Sequence, residues 1–403
     1  MADHSLIQTP DALEAVVRKL RRDRVIGIDT EADSFFHYFE KLCLLQIAGR
    51  SGIYLIDPLK LPEKGLEPLA PLLADPEVRI VLHAADYDLY VLRRYGDLRV
   101  RNIFDTMVSA QLLGYPGVGL GALVERHFGV KLSKDQQRTD WSRRPLRPAQ
   151  IEYAASDVRY LIKLASILEK ELRAKQRLSW AQEEFRLLEE REWPERPFDR
   201  EGYLRIKGAK KLSPQNLAVL RELFMLRDRR ARRQDRPPFK VLGNGTLLDL
   251  AQNPPRTRRT LAKRKGITDL VLRRMGNEIL DAIQRGLSGP EHKPIEPRRP
   301  ADGRRRLDRR GELRLEHLKR WRDRRARELA MDPGVLCPNA VLEQIAGSDA
   351  RSREELERVE MLRGWRLKAF GDDLLVVIEE TRQSSETAAR PRRGRSRGRK
   401  RSH

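Results

Sequence analysis

The hexapeptide RDRRAR occurs twice in this chain, at 227–232 and again at 322–327. A shift of 95 positions lays residues 227–283 on the later stretch without a gap, and it brings Asn244 onto Asn339, Ala251 onto Ala346, Gly276 onto Gly371 and Ile283 onto Ile378. A repeat of this length, helical in pattern, means one small all-α domain present in two copies, each with its own core. The copies are expected over 205–288 and 307–381. The Pro- and Arg-rich stretch between them, 289–306, reads as a linker. Residues 382–403, RQSSETAARPRRGRSRGRKRSH, have no apolar periodicity and read as a disordered basic tail.

The front of the chain differs in both charge and pattern. Residues 1–195 carry 29 Lys and Arg against 30 Asp and Glu, whereas 196–403 carry 53 against 29, so the whole net charge of +23 lies in the repeated half. A neutral working domain followed by a basic capture region points to a polyanionic partner. Cys43 and Cys337 are isolated and no Cys/His cluster is present, which argues against a disulfide framework or a zinc site. No apolar run reaches the roughly 20 residues that span a bilayer, and the first residues lack a signal-peptide pattern. A cytoplasmic protein without membrane association is expected.

In 1–195 the segment VIGIDTE reads as a buried strand. KLCLLQIAG and GIYLIDP flank the turn GRSG as a hairpin, RIVLHA is a further strand, and RVRNIFDT a short one. Helices alternate with the later strands, and 105–175 is mostly helical with a loop at 131–149. The class is α/β with a mixed sheet. WPERPF at 193–198 closes this domain.

Three groups of acids then draw attention. Asp29 and Glu31 are two apart at the end of a strand, so both side chains leave one side of the pleat. Asp86 and Asp88 follow a second strand. In IEYAASDVRYL, Tyr153 and Asp157 are one helical turn apart and share a face. Carboxylates gathered this way repel one another unless a hard dication such as Mg²⁺ or Mn²⁺ lies between them. A two-metal cage of this kind activates water and stabilises the leaving oxygen in phosphodiester cleavage, which agrees with the basic second half.

The set DTE, HAADYDL and YAASD resembles the three exonuclease motifs of the DEDD superfamily, in the subgroup with Tyr in the third motif. DWSRRPLRPAQIEYAASDVRYL (140–161) is similar to the signature of the ribonuclease D family, and both repeats resemble the HRDC domain, a helical nucleic-acid-binding module. The resemblance implies a ribonuclease H-like mixed-sheet exonuclease domain over 1–195 followed by two HRDC domains. It implies two divalent ions held by Asp29, Glu31, Asp88 and Asp157, one by Asp29, Glu31 and Asp157 and the other chiefly by Asp29 with Asp88 through water. Tyr153 would position the attacking water. In the family the second acid falls five residues after the His, which selects Asp88 and leaves Asp86 as a helix N-cap. The implied activity is 3′→5′ removal of nucleoside 5′-monophosphates from RNA with a single-stranded 3′ end, tRNA precursors above all, by a monomer. A DNA exonuclease and a noncatalytic RNA-binding scaffold are the alternatives.

Other residues are weighed against plainer roles. His83 reads as a structural histidine and Asp105 as a helix N-cap or a contact behind the site. Trp141 either stacks on a base or anchors its loop. His37 and Tyr38 are candidates for the scissile phosphate or terminal ribose. Arg227, Arg229, Arg230, Arg322, Arg324 and Arg325 are candidates for RNA phosphates, because they recur in both repeats. Asp33 adds charge next to the first motif, where the family more often has neutral or basic residues; a place facing solvent is open to it, and no mechanism is drawn from it.

Overall fold

A computed structural model describes residues 4–95, 97–194, 198–289, 307–359, 362 and 364–389. Six strands form one mixed sheet in the order β1-β4-β3-β2-β5-β6: β1 (His4–Ile7), β2 (Val25–Ala32), β3 (Leu42–Gly49), β4 (Gly52–Ile56), β5 (Arg79–Leu82) and β6 (Ile103–Asp105). β3 and β4 make the expected hairpin, β2 runs antiparallel to β3 and parallel to β5, and β1 pairs with β4 in parallel. β1 was not anticipated, because four residues at an edge carry too little alternation to register as a strand. β2 is interior to the sheet, and Ile26 and Ile28 are fully buried. It therefore delivers its last residues to a place fixed from both sides.

The chain divides into two compact units that do not follow its linear order. The first, from the described parts of Met1–Ile103, Val130–Ile162 and Leu188–Arg298, carries most of the sheet and the first helical repeat. The second, from Phe104–Gly129, Lys163–Leu187 and the described parts of Arg299–His403, is helical and carries the second repeat.

The repeats match element by element. Helices begin at Pro214, Pro238, Asn244 and Arg258 in the first, and at Arg309, Pro333, Asn339 and Arg353 in the second. Each start differs from its counterpart by the 95 residues of the sequence shift. The final helices are Asp269–Ser288 and Trp365–Ala389. The tail expected from 382 thus begins with helix through Ala389, and its remainder lies outside the described residues, as does the linker beyond Gly289. Residues 382–389, RQSSETAA, carry no large apolar side chain, so no apolar periodicity marked those last turns in the sequence.

The recurring arginines prove to be mainly internal staples. Arg227 is only 7% exposed and donates to the carbonyl of Leu242 and to Asn244 Oδ1 at 3.1 and 2.7 Å. Arg322 repeats this with the carbonyl of Cys337 and Asn339 Oδ1 at 3.3 and 2.7 Å. Arg230 pairs with Glu278 across the module, and Arg325 with Glu328 and Asp373. These four recur because both modules close the same way, so recurrence is no sign of phosphate binding for them. Arg229 and Arg324 stay exposed.

In the first unit the loop after β2 is fastened to the first repeat. Asp235 accepts hydrogen bonds from the backbone N–H groups of Tyr38 and Phe39, both at 3.0 Å, and pairs with His37 Nδ1 at 2.7 Å. The Tyr38 hydroxyl donates to Asp228 Oδ1 at 2.8 Å, and the Lys240 ammonium lies 3.9 Å from the Phe36 ring centroid. In the second unit Trp365 stacks on Trp180 with centroids 4.4 Å apart, and its indole N–H donates to Glu184 at 2.8 Å. Arg366 joins the same carboxylate at 2.6 Å.

Candidate active site

Asp29 and Glu31 occupy alternate positions near the end of β2, opposite Gln46 and Leu44 of β3, and the register breaks just after them between Glu31 and Ala32. Gly27 lies on the same face two residues earlier. A Cβ at Gly27 would stand 3.2 Å from Leu161 Cβ and 3.6 Å from the Val158 carbonyl oxygen. The missing side chain lets the segment after Tyr153 settle against the strand, a familiar use of glycine inside a β-pattern.

The helix Pro148–Arg159 has Pro at its first turn, and buried Gln150 accepts from the Arg147 N–H at 3.1 Å while donating to Thr139 at 3.1 Å. Ala154, Ala155 and Val158 bury its inner face. One turn then brings Tyr153 and Asp157 toward β2. Ligand-capable oxygens of Asp29, Glu31 and Asp157 all lie within 4.8 Å of one another. Asp88, buried in the first turn of the helix Asp86–Arg94, accepts from the Thr30 hydroxyl at 2.5 Å. It sits outside the three-carboxylate group but close enough for its charge to act on Glu31.

The electrostatics record this crowding. Burial, and then the charge of Asp157, raise the Asp29 pKa well above the ordinary carboxylate range. Glu31 is raised by burial and then by Asp29, Asp157 and Asp88. Asp157 is pushed up to about 7 by burial, against a hydrogen bond from Tyr153 that lowers it. Burial and the three carboxylates raise the Tyr153 phenol, so it keeps its proton at neutral pH. Among the described residues no Lys or Arg pairs with Asp29, Glu31 or Asp157. Oxygen ligands and an excess of negative charge with no organic cation suit a hard divalent ion.

The remaining candidates fall elsewhere. Trp141 is 1% exposed and packs at 6.0 Å on the Tyr153 ring, so it anchors the phenol and has no face open to a base. His37 and Tyr38 are engaged by Asp235 and Asp228, as described. Asp33 does not face solvent: it is fully buried and accepts from the Lys41 N–H at 2.7 Å, which closes the loop after β2. Asp86 makes no cap: it is the first residue of its helix and pairs with Arg191 at 2.6 Å. Asp105 does cap the next helix, accepting from Met107 and Val108 N–H at 2.7 and 3.1 Å. His83 is partly buried. Sequence reasoning missed Thr30 and Gly27, although a glycine two residues before a strand-end acid was a readable sign of close approach.

Comparison with known proteins agrees with this geometry. A family model described as 3′-5′ exonuclease matches residues 5–173, and the HRDC domain matches 216–283 and 312–378. The chain is 31% identical over 385 residues to the ribonuclease D of Sphingobium indicum, covering 94% of this chain and 95% of that one. It is 32% identical over 383 residues to the ribonuclease D of Zymomonas mobilis, covering 94% and 95%. The crystal structure of Escherichia coli RNase D, an exoribonuclease involved in structured RNA processing, superposes with a TM-score of 0.68 at 26% identity, over 94% of this chain and 99% of that one. No helix among the described residues is long and apolar enough to cross a membrane. With both module types in the same order and near full-length similarity, the chain belongs to the ribonuclease D family of metal-dependent 3′→5′ exoribonucleases.

Proposed function

We propose that this exoribonuclease trims the 3′ ends of tRNA precursors and other small structured RNAs, releasing nucleoside 5′-monophosphates one at a time, as a cytoplasmic monomer. The observation that carries the reading is the meeting of Asp29, Glu31 and Asp157 within 4.8 Å, beside the Tyr153 phenol. Asp29, Glu31 and Asp157 would hold one divalent ion, Mg²⁺ or Mn²⁺, and a second would be held chiefly by Asp29, with Asp88 acting through water. Two such ions in a carboxylate cage make water a nucleophile at neutral pH and offset charge on the departing oxygen. Tyr153 keeps its proton and therefore orients the attacking water by hydrogen bonding, without acting as its base. Trp141 and the Asp157 carboxylate hold the phenol in place for that task. Arg229 and Arg324, exposed on the first helix of each repeat, are available to RNA phosphates.

The test is the double variant Asp29→Asn with Asp157→Asn on a tRNA precursor labelled in its 3′ extension, with Mg²⁺. Loss of labelled mononucleotide is expected, and trimming that survives would overturn the site assignment. Running a matched DNA overhang beside the RNA checks the substrate: RNA alone should be degraded.

A further inference from the structure

The two repeats share a backbone plan but differ sharply in charge at one place. In the first, residues 253–266 read NPPRTRRTLAKRKG, with six cations and no acid. The positions 95 residues later, 348–361, read SDARSREELERVEM, with three cations and five acids. Arg259, Thr260, Ala262 and Lys265 give way to Glu354, Glu355, Glu357 and Glu360. Of the two arginines present in both segments, one pair is also treated differently. Arg258 donates to the neutral Asn277 Oδ1 at 2.7 Å, whereas Arg353 makes a bidentate pair with Asp372 at 2.8 and 2.8 Å, and Asn277 and Asp372 are themselves counterparts. The second repeat neutralises what the first leaves charged.

Four of the six cations in 253–266 are also free to act. Arg256, Arg259, Lys263 and Lys265 are exposed, and their side chains make no hydrogen bond or ion pair among the described residues. Arg256 and Lys263 line a cleft of about 500 Å³ with Pro254, Pro255 and Thr260 as its walls. Like charges on one exposed segment repel each other, and a polyanion lying across them neutralises that charge while release of its condensed counterions adds a favourable entropy.

We propose that the segment 253–266 is the RNA-backbone contact of the capture region and that the second repeat has no equivalent. The proposal rests on the exoribonuclease reading and deepens it by assigning the body of the structured RNA to one repeat. The second repeat is instead packed within its own unit through its final helix, where Trp365 and Arg366 meet Trp180 and Glu184. The occupant is the phosphate backbone, read by charge and without sequence preference.

The experiment uses the full chain carrying Arg256→Ala, Arg259→Ala, Lys263→Ala and Lys265→Ala together. Binding to a folded RNA with a 3′ extension is measured over a salt series, and turnover on an oligonucleotide of about six nucleotides with no folded body is measured in parallel. Each lost phosphate contact lowers the slope of log affinity against log salt by about 0.7–0.9, so a fall of about 3 is expected, with at least about a tenfold loss of affinity near physiological salt. Turnover of the short oligonucleotide should stay unchanged. Arg256→Lys with Arg259→Lys should keep the full slope, since a point charge suffices, which separates charge from misfolding. Arg351→Ala with Arg358→Ala in the second repeat should also leave it unchanged. Wild-type affinity and slope in the quadruple variant, or an equal loss from the second-repeat pair, would overturn the proposal. Failure of the unsubstituted chain to degrade the short oligonucleotide would instead overturn the exoribonuclease reading, leaving the binding series to decide this one.

Discussion

The carboxylate cage strains the fold that builds it, and Asp157→Asn measures by how much. The Asp157 carboxyl holds its proton up to about pH 7 in the folded chain, against an ordinary value of 3.8. Between those values the native state binds more protons than the unfolded one, so this group costs stability as the pH rises from about 4 to about 7, and the full cost is present above 7. At about 1.4 kcal/mol for each pH unit between the two values, the ceiling is about 4 kcal/mol. The side chain is partly open to water, and screening there halves the figure to about 2 kcal/mol. Asn is close in shape and carries no charge. In metal-free protein kept in EDTA at pH 8, Asp157→Asn should therefore raise the melting temperature by about 4–8 °C for a unit of this size. At pH 5, about one unit above the unfolded value, only about a third of the cost has accrued, so the gain should fall to about a third of its value at pH 8 and vanish only below about pH 4. Adding Mg²⁺ at pH 8 should stabilise the wild type more than the variant, since a ligand that binds only the native state raises its stability by mass action. Equal melting temperatures at pH 8 in EDTA, or the same gain at both pH values, would refute the account of a carboxylate whose ionised form is penalised by burial.

Two other perturbations bear on the architecture. Gly27→Val inserts three carbons where a first one already meets Leu161 Cβ at 3.2 Å, and should cost about 1–3 kcal/mol in urea unfolding. It should also lower kcat with little change in RNA affinity, because Asp157 moves away from Asp29, and Gly27→Ala should be milder in both respects. Arg227→Ala leaves the Leu242 carbonyl and Asn244 without their donor in a buried place and should cost about 2–4 kcal/mol. Arg229→Ala, two residues further along the same helix and exposed, should change stability by less than about 0.5 kcal/mol. Comparable losses of stability from the two would contradict the structural assignment of Arg227.

Local chemistry was legible wherever neighbours in sequence are also neighbours in space. The DTE strand end, the Tyr153–Asp157 turn and the β3–β4 hairpin depend on periods of two and 3.6 residues, and these hold before any tertiary contact forms. Asp105 was readable as a cap for the same reason, since it bonds N–H groups two and three residues ahead. Asp86 was misread because its partner, Arg191, is 105 residues away. Asp33, His37, Tyr38 and Trp141 looked like surface or site residues, and each is held by groups brought in from elsewhere.

By itself the sequence determined the set of chemical groups and their local order: acids at strand ends, a phenol one turn before an acid, and two copies of one helical module separated by 95 residues. These follow from backbone geometry and composition. Tertiary structure decided which of those groups meet. Gly27 admits the helix segment that brings Asp157 to Asp29, Asn244 and Asn339 turn surface-looking arginines into staples, and an open cleft at Pro254 leaves one cationic segment free while Asp372 quenches its counterpart. The reason is that burial and charge pairing depend on distance through space, and a pattern read along the chain contains no distance beyond a few residues.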